Sequence, residues 1–107
     1  MGVTDILRQA QQMQSKMVEI QAELAQKTVE GSSGGGMVRV ICTGGQVIQS
    51  VTIDPNALVS AGTVSSEDIE MLQDLVTAAV NDALRRSREL MENEMKALTG
   101  GLKLPFM

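Results

Sequence analysis

The chain has 107 residues and a formal net charge of −4, with no His, no Trp, no Tyr, a single Cys and a single Phe. That inventory excludes an internal disulfide, the common zinc spacings and the usual nucleophile–base pairs, and it leaves a core of Val, Ile, Leu, Ala and the eight Met that is often completed by a second copy. No apolar run of about 18 residues and no basic-then-apolar leader is present, so a soluble, cytoplasmic protein with no membrane contact is expected.

From Thr4, read as an N-cap, to about Lys27 there is neither Gly nor Pro, and Ile6, Ala10, Met13, Met17, Ile20 and Leu24 recur at alternating spacings of four and three. This narrow a/d stripe predicts one long helix suited to packing against another helix. The stretch GSSGGG, residues 31–36, then ends anything helical and hands over to extended chain. No GK[ST] follows it and no helix opens after it, so it reads as a flexible strand connection rather than a phosphate loop.

MVRVICT and QVIQSVTID alternate with period two on either side of Gly44-Gly45, which are expected to supply the positive φ of a primed hairpin turn. With Thr43 opposite Gln46, Val38, Val40 and Cys42 share a face with Val47 and Val51, while Arg39, Ile41, Ile48, Ser50 and Thr52 take the other. A lone hairpin is too small to be stable, so TVEG before the glycine run is expected to add a third, shorter strand. Asp54-Pro55-Asn56 reads as a turn in which Asp54 accepts a local backbone N–H. Enzyme activity has no positive sign.

After a short apolar stretch from Asn56 to Ala61, GTVSSEDIEML marks a helix start, with Ser65 or Ser66 as cap and Glu67, Asp68 and Glu70 at the positive end of the helix dipole. The helix is expected to run to about Leu98, with residues 99–107 a flexible tail that either docks on the protein or stays disordered. At ~100° per residue, Ile69, Val76, Val80, Ala83, Leu84, Leu90, Met91 and Leu98 fall within roughly 60° of Ser87, which places Ser87 in the middle of the buried stripe. Arg86 and Arg88 flank it and Arg85 points nearly opposite. Asp82, Glu89 and Glu92 stand four residues from Arg86, Arg85 and Arg88 as i,i+4 partners. The arginines read equally as a solvated helix face or as a grip on nucleic acid, and composition does not choose between the two.

The order of these segments is more specific than any one of them. QAQQMQSKMVEIQAEL, then VEGSSGGGMVRV, then VIQSVTIDPNAL, and finally MLQDLVTAAVNDALRRSREL with its L-V-x-A-x-N-D-A segment at Leu75 to Ala83, resemble the YbaB/EbfC family of nucleoid-associated proteins over nearly the whole chain. The resemblance implies a single α+β domain over residues 1–107. Its order would be a long N-terminal helix, a three-stranded antiparallel meander and a long C-terminal helix, assembled as a tweezer-like homodimer that binds DNA in the bacterial nucleoid. Where relatives often carry Lys along the third strand, this chain has Ile48, Gln49, Ser50 and Thr52. The sheet is then a poor candidate for phosphate contact, and Arg85, Arg86, Arg88 and Lys96 on the second helix, with Arg8 and Lys16 on the first, become the expected DNA-binding residues.

Without Trp or Tyr, a base-stacking platform is not expected, and no helix-turn-helix pair is present, so phosphate contact and DNA shape remain and sequence specificity should be modest. No cofactor, metal or small-molecule substrate is expected. The alternative is a helical adaptor that binds a protein partner through the Met13/Met17 and Met91/Met95 patches.

Overall fold

A computed structural model describes residues 2–57 and 63–102. The elements are α1 (Val3–Gln26), β1 (Thr28–Ser33), β2 (Val38–Thr43), β3 (Ile48–Ile53) and α2 (Ser66–Leu102), with short 3-10 turns at Gly34–Gly36 and Pro55–Ala57. The sheet is antiparallel in the order β1-β2-β3, so the expected α-β-β-β-α order is present.

α1 begins two residues earlier than the Thr4 cap predicts. Gly2, in extended backbone, is the N-cap and offers no side-chain hydrogen bond, while its carbonyl accepts the N–H groups of Asp5 and Ile6. The helix ends at Gln26, within one residue of the expected Lys27. Lys27 is already extended (φ −86, ψ 148), its carbonyl accepts the N–H of Gly44 at 2.9 Å, and Leu24 is buried. A Cβ at Gly44 would lie 2.7 Å from the Leu24 carbonyl oxygen, so the sheet takes hold of the helix end at this close approach and the β-branched Thr28 and Val29 start a strand at once. Gly31, Ser32 and Ser33 therefore belong to β1, and only Gly34, Gly35 and Gly36, with φ of 60, 66 and 94, form the connection.

The β2–β3 turn also differs from expectation. The positive φ belongs to Gln46 (64) rather than to Gly44 or Gly45. The N–H of Thr43 donates to the Val47 carbonyl at 2.8 Å, and the Thr43 hydroxyl accepts the N–H groups of Gly45 and Val47 at 3.2 Å each. Val38 pairs with Ile53, Val40 with Val51 and Ile41 with Ser50, but Cys42 pairs with Ile48, so Gln49 is the extra residue of a β-bulge. The bulge shifts the face by one residue. Val51 lies on the Val38–Val40–Cys42 face as expected, while Ile48 takes the place expected for Val47.

α2 opens on Ser65. Its hydroxyl accepts the Asp68 N–H at 3.1 Å and the Asp68 carboxylate accepts the Ser65 N–H at 2.9 Å, a reciprocal capping pair. The helix packs on β1 and β2, and the core is Val38, Val40, Cys42, Ala79 and Ala83, flanked by Val29, Leu72, Leu75, Val76, Val80 and Leu84. The approach is closest at Gly31, where a Cβ would lie 2.3 Å from the Ala83 nitrogen and 2.7 Å from the Ala79 carbonyl oxygen. Ser87, fully buried, donates its hydroxyl to the Thr43 carbonyl at 2.7 Å, in the middle of the stripe as the helical wheel predicts. Two members of that wheel, Ile69 and Met91, are exposed, because the sheet is too short to reach both ends of α2.

Beyond this core the chain is extended. Its radius of gyration is 20.6 Å, against about 13 Å for a compact chain of 100 residues. Leu24 is the only buried residue of α1, and Val3, Ile6, Leu7, Met17 and Val18 are exposed, so much of the a/d stripe has no cover within one chain. Every residue of β3 is exposed as well. Asp54 accepts the Asn56 N–H at 2.9 Å, as the turn reading expects. α2 continues to Leu102, four residues past the expected end. The apolar stretch from Leu58 to Ala61 and the tail from Lys103, Phe106 included, lie outside the described residues.

Candidate nucleic-acid interface

The α2 arginines bracket the buried Ser87, so packing of the small-residue stripe fixes which way each one leaves the helix. All three are exposed, and their charge partners differ from one to the next. Arg85 donates to Asp82 at 2.7 Å and to Glu89 at 2.9 Å, while Arg86 donates through Nε to the other Asp82 oxygen at 3.2 Å. Asp82 thus serves both arginines, although the i,i+4 spacing assigns it to Arg86 alone. It also accepts the backbone N–H of Ser32 at 3.0 Å, which ties α2 to the outer edge of β1. The Ser32 N–H first, then Arg85, hold the Asp82 carboxyl below its ordinary range, and Asp82 in turn raises the Arg85 guanidinium above its own.

Arg88 is different. Its expected partner Glu92 is not within ion-pair distance, and among the described residues Arg88 forms no salt bridge. Lys96 is exposed farther along α2. On α1, Arg8 and Lys16 line an open depression of about 610 Å³ together with Gln11, Gln12 and Ser15. At the C-terminal end of α1, Lys27 forms an ion pair with Glu94 of α2, and Glu94 raises the Lys27 ammonium above its usual value, chiefly through that hydrogen bond.

The six expected residues therefore lie on two helices. Arg8 and Lys16 line one depression and Arg86 another, and the two share no lining residue. The depression beside Arg86 contains a cation that sequence reasoning set aside with the sheet: Arg39 of β2, which meets Arg86 at Glu30, Ser32, Gly35 and Gly36. Its only sequence signal is a charged residue at the outward position of V-R-V beside a glycine run, and nothing local predicts that a helix arginine some 47 positions later shares the same depression. Among the described residues no three His, Cys, Asp or Glu side chains gather as a metal site, and no helix is long and apolar enough to cross a membrane.

Comparison with known proteins gives a consistent result. Residues 1–102 match the YbaB/EbfC DNA-binding family. A nucleoid-associated protein of Caldanaerobacter subterraneus is 45% identical over 104 residues, covering 97% of this chain and 88% of the relative. One of Syntrophobacter fumaroxidans is 50% identical over 99 residues, covering 92% and 84%. The crystal structure of an uncharacterised protein from Helicobacter pylori superposes with a TM-score of 0.76 at 22% identity, covering 92% of this chain and 98% of that one, a likeness of fold.

Proposed function

This chain belongs to the YbaB/EbfC DNA-binding family, and on that premise we propose that it acts in the bacterial nucleoid as a homodimer that binds double-stranded DNA by phosphate and shape contacts with modest sequence specificity. The observation that carries the reading is the placement of exposed cations along two helices that extend from a small sheet: Arg85, Arg86, Arg88 and Lys96 on α2, and Arg8 and Lys16 on α1. Arg88 leads this set, because it reaches phosphate without first leaving a carboxylate. A net charge of −4 is compatible with such binding, since screening over about 8 to 10 Å makes local clustering outweigh the total.

The homodimer is supported by what one chain leaves uncovered. β3 exposes Ile48, Val51 and Ile53 and carries no charged residue, so it lacks the charges that usually guard an edge strand and meets no like charge across a two-fold axis. The α1 stripe adds a second apolar surface of the same kind. We assign no catalytic role to any residue and no small-molecule substrate.

A salt titration of binding to two unrelated duplexes, with a solution mass measurement alongside, tests the reading. The expected result is a dimer mass, similar affinity for both duplexes, and affinity that falls linearly in log–log form as salt rises. Replacing Arg85, Arg86 and Arg88 together by Gln should weaken both duplexes alike and flatten that slope by roughly 0.9 for each phosphate that is no longer neutralised. Removing Glu89 and Glu92 as Gln should tighten binding. A folded, dimeric triple variant with unchanged affinity and slope would overturn the arginine assignment. Absence of DNA binding, with a protein partner held through the Met13/Met17 and Met91/Met95 patches and insensitive to salt, would replace the whole reading by the adaptor.

A further inference from the structure

The geometry points to a phosphate seat on the sheet side of the molecule, in which Arg39 of β2 and Arg86 of α2 hold one phosphodiester group of a DNA strand across the Gly34–Gly36 turn. The inference rests on the DNA-binding reading above and extends it to an element that the sequence argues against, since the uncharged β3 speaks for the sheet as a whole and hides the one arginine on its neighbour.

Three features of the open depression shared by Glu30, Ser32, Gly35, Gly36, Arg39 and Arg86, about 510 Å³ in volume, carry it. The first is the state of the donors. The Arg39 guanidinium makes no hydrogen bond with any described residue, and its one ion-pair partner, Glu30, stands at 4.0 Å with both side chains more than half exposed, the limit of a pairing that contributes little and yields readily. Arg86 commits only Nε to Asp82, so its two terminal nitrogens remain. Planar guanidinium edges with free donors suit phosphate oxygens.

The second is access. A Cβ at Gly35 would meet nothing within 4 Å, and one at Gly36 would lie 3.6 Å from the Arg39 Nη2, so the turn presents bare backbone beside the guanidinium where a bulkier residue would occupy the space above it. The third is construction. The Ser32 N–H bond to Asp82 and the Asp82 bond to Arg86 join the strand edge to the helix at this spot, so Arg86 is positioned by the same carboxylate that anchors β1.

The test uses the full chain with Arg39→Gln. Arg39 is exposed, so the variant should keep the wild-type mass and melting temperature. It is expected to bind two unrelated duplexes more weakly and to a similar degree. Its log–log salt slope should be flatter by about 0.9, which means that raising salt from about 50 to about 200 mM costs it roughly 3.5-fold less affinity than it costs the wild type. Glu30→Gln should tighten binding in the wild-type background and tighten it less beside Arg39→Gln. A wild-type slope in Arg39→Gln, while Arg88→Gln flattens it, overturns the seat and leaves the helix reading standing. Wild-type protein that binds neither duplex overturns both. Titration with inorganic phosphate separates the sources: phosphate binding that Arg39→Gln abolishes while DNA affinity stays unchanged shows a free-anion site and overturns the assignment to DNA.

Discussion

Gly31→Ala tests the packing on which the arginine placement depends, because two ordinary effects predict opposite signs for it. A glycine inside a strand is unfavourable relative to alanine by roughly 0.5–1 kcal/mol of backbone entropy, so on propensity alone the change should stabilise. In the folded chain, however, the added Cβ would lie 2.3 Å from the Ala83 nitrogen, 2.6 Å from the Ala83 Cα and 2.7 Å from the Ala79 carbonyl oxygen. All three atoms are helix backbone, which no side-chain rotation relieves, so α2 must lift off β1 where Ala79 and Ala83 are fully buried. Overpacking of this kind costs typically about 1–3 kcal/mol, more than the entropic gain. A net loss of about 1–2 kcal/mol corresponds to a melting temperature lower by roughly 4–16 °C for a domain of this size. Thermal unfolding followed by circular dichroism at one fixed protein concentration reads it, since dimerisation makes the midpoint concentration-dependent. A variant that melts at or above the wild-type temperature would refute the close strand–helix approach, and with it the orientation of Arg85, Arg86 and Arg88.

Ser87→Ala removes the buried bond to the Thr43 carbonyl and should cost about 1–3 kcal/mol, while Ser87→Leu should cost about as much by overfilling; urea unfolding of both variants checks this, and a wild-type midpoint for either contradicts the burial. Val51→Lys adds a charge to an exposed position on β3, so a single chain should tolerate it within about 0.5 kcal/mol, whereas a seam on β3 should shift the mass from dimer toward monomer in light scattering. For Asp82, whose carboxyl is held below its ordinary range, the sign is that of a depressed acid: its contribution is complete above the unfolded value and disappears as pH falls through the folded one. Wild-type protein should therefore lose stability below about pH 4 more steeply than Asp82→Asn, and parallel acid titrations of the two would contradict the role of Asp82 as a three-donor acceptor. Lys27, raised by Glu94, has the opposite sign, and its contribution should fade only as pH rises past the ordinary lysine range.

What the sequence determined by itself is local. The element order, a serine cap at Ser65 or Ser66, the Asp54 turn and the position of Ser87 on α2 follow from periodicity, capping chemistry and turn residues, whose partners lie a few positions away along the chain. The family resemblance reaches further because it reads four such segments in order. The tertiary structure decided everything that needed a distant partner. Gly44, far along the chain, meets the last turn of α1 at Leu24 at a distance no Cβ would permit. The bulge at Gln49 exchanges Val47 for Ile48 against Cys42, a one-residue shift that alternation alone cannot detect. Asp82 keeps its i,i+4 bond to Arg86 and adds Arg85 and the Ser32 N–H across the strand edge, and Arg39 comes to share a depression with Arg86. Charge spacing along a helix describes the neighbours a side chain has when the helix is alone. Once α2 lies on β1 at the Gly31 approach, a backbone donor of the strand joins two helix arginines on one carboxylate and a guanidinium of the sheet comes to lie beside one of them, neighbours that charge spacing along the helix does not describe.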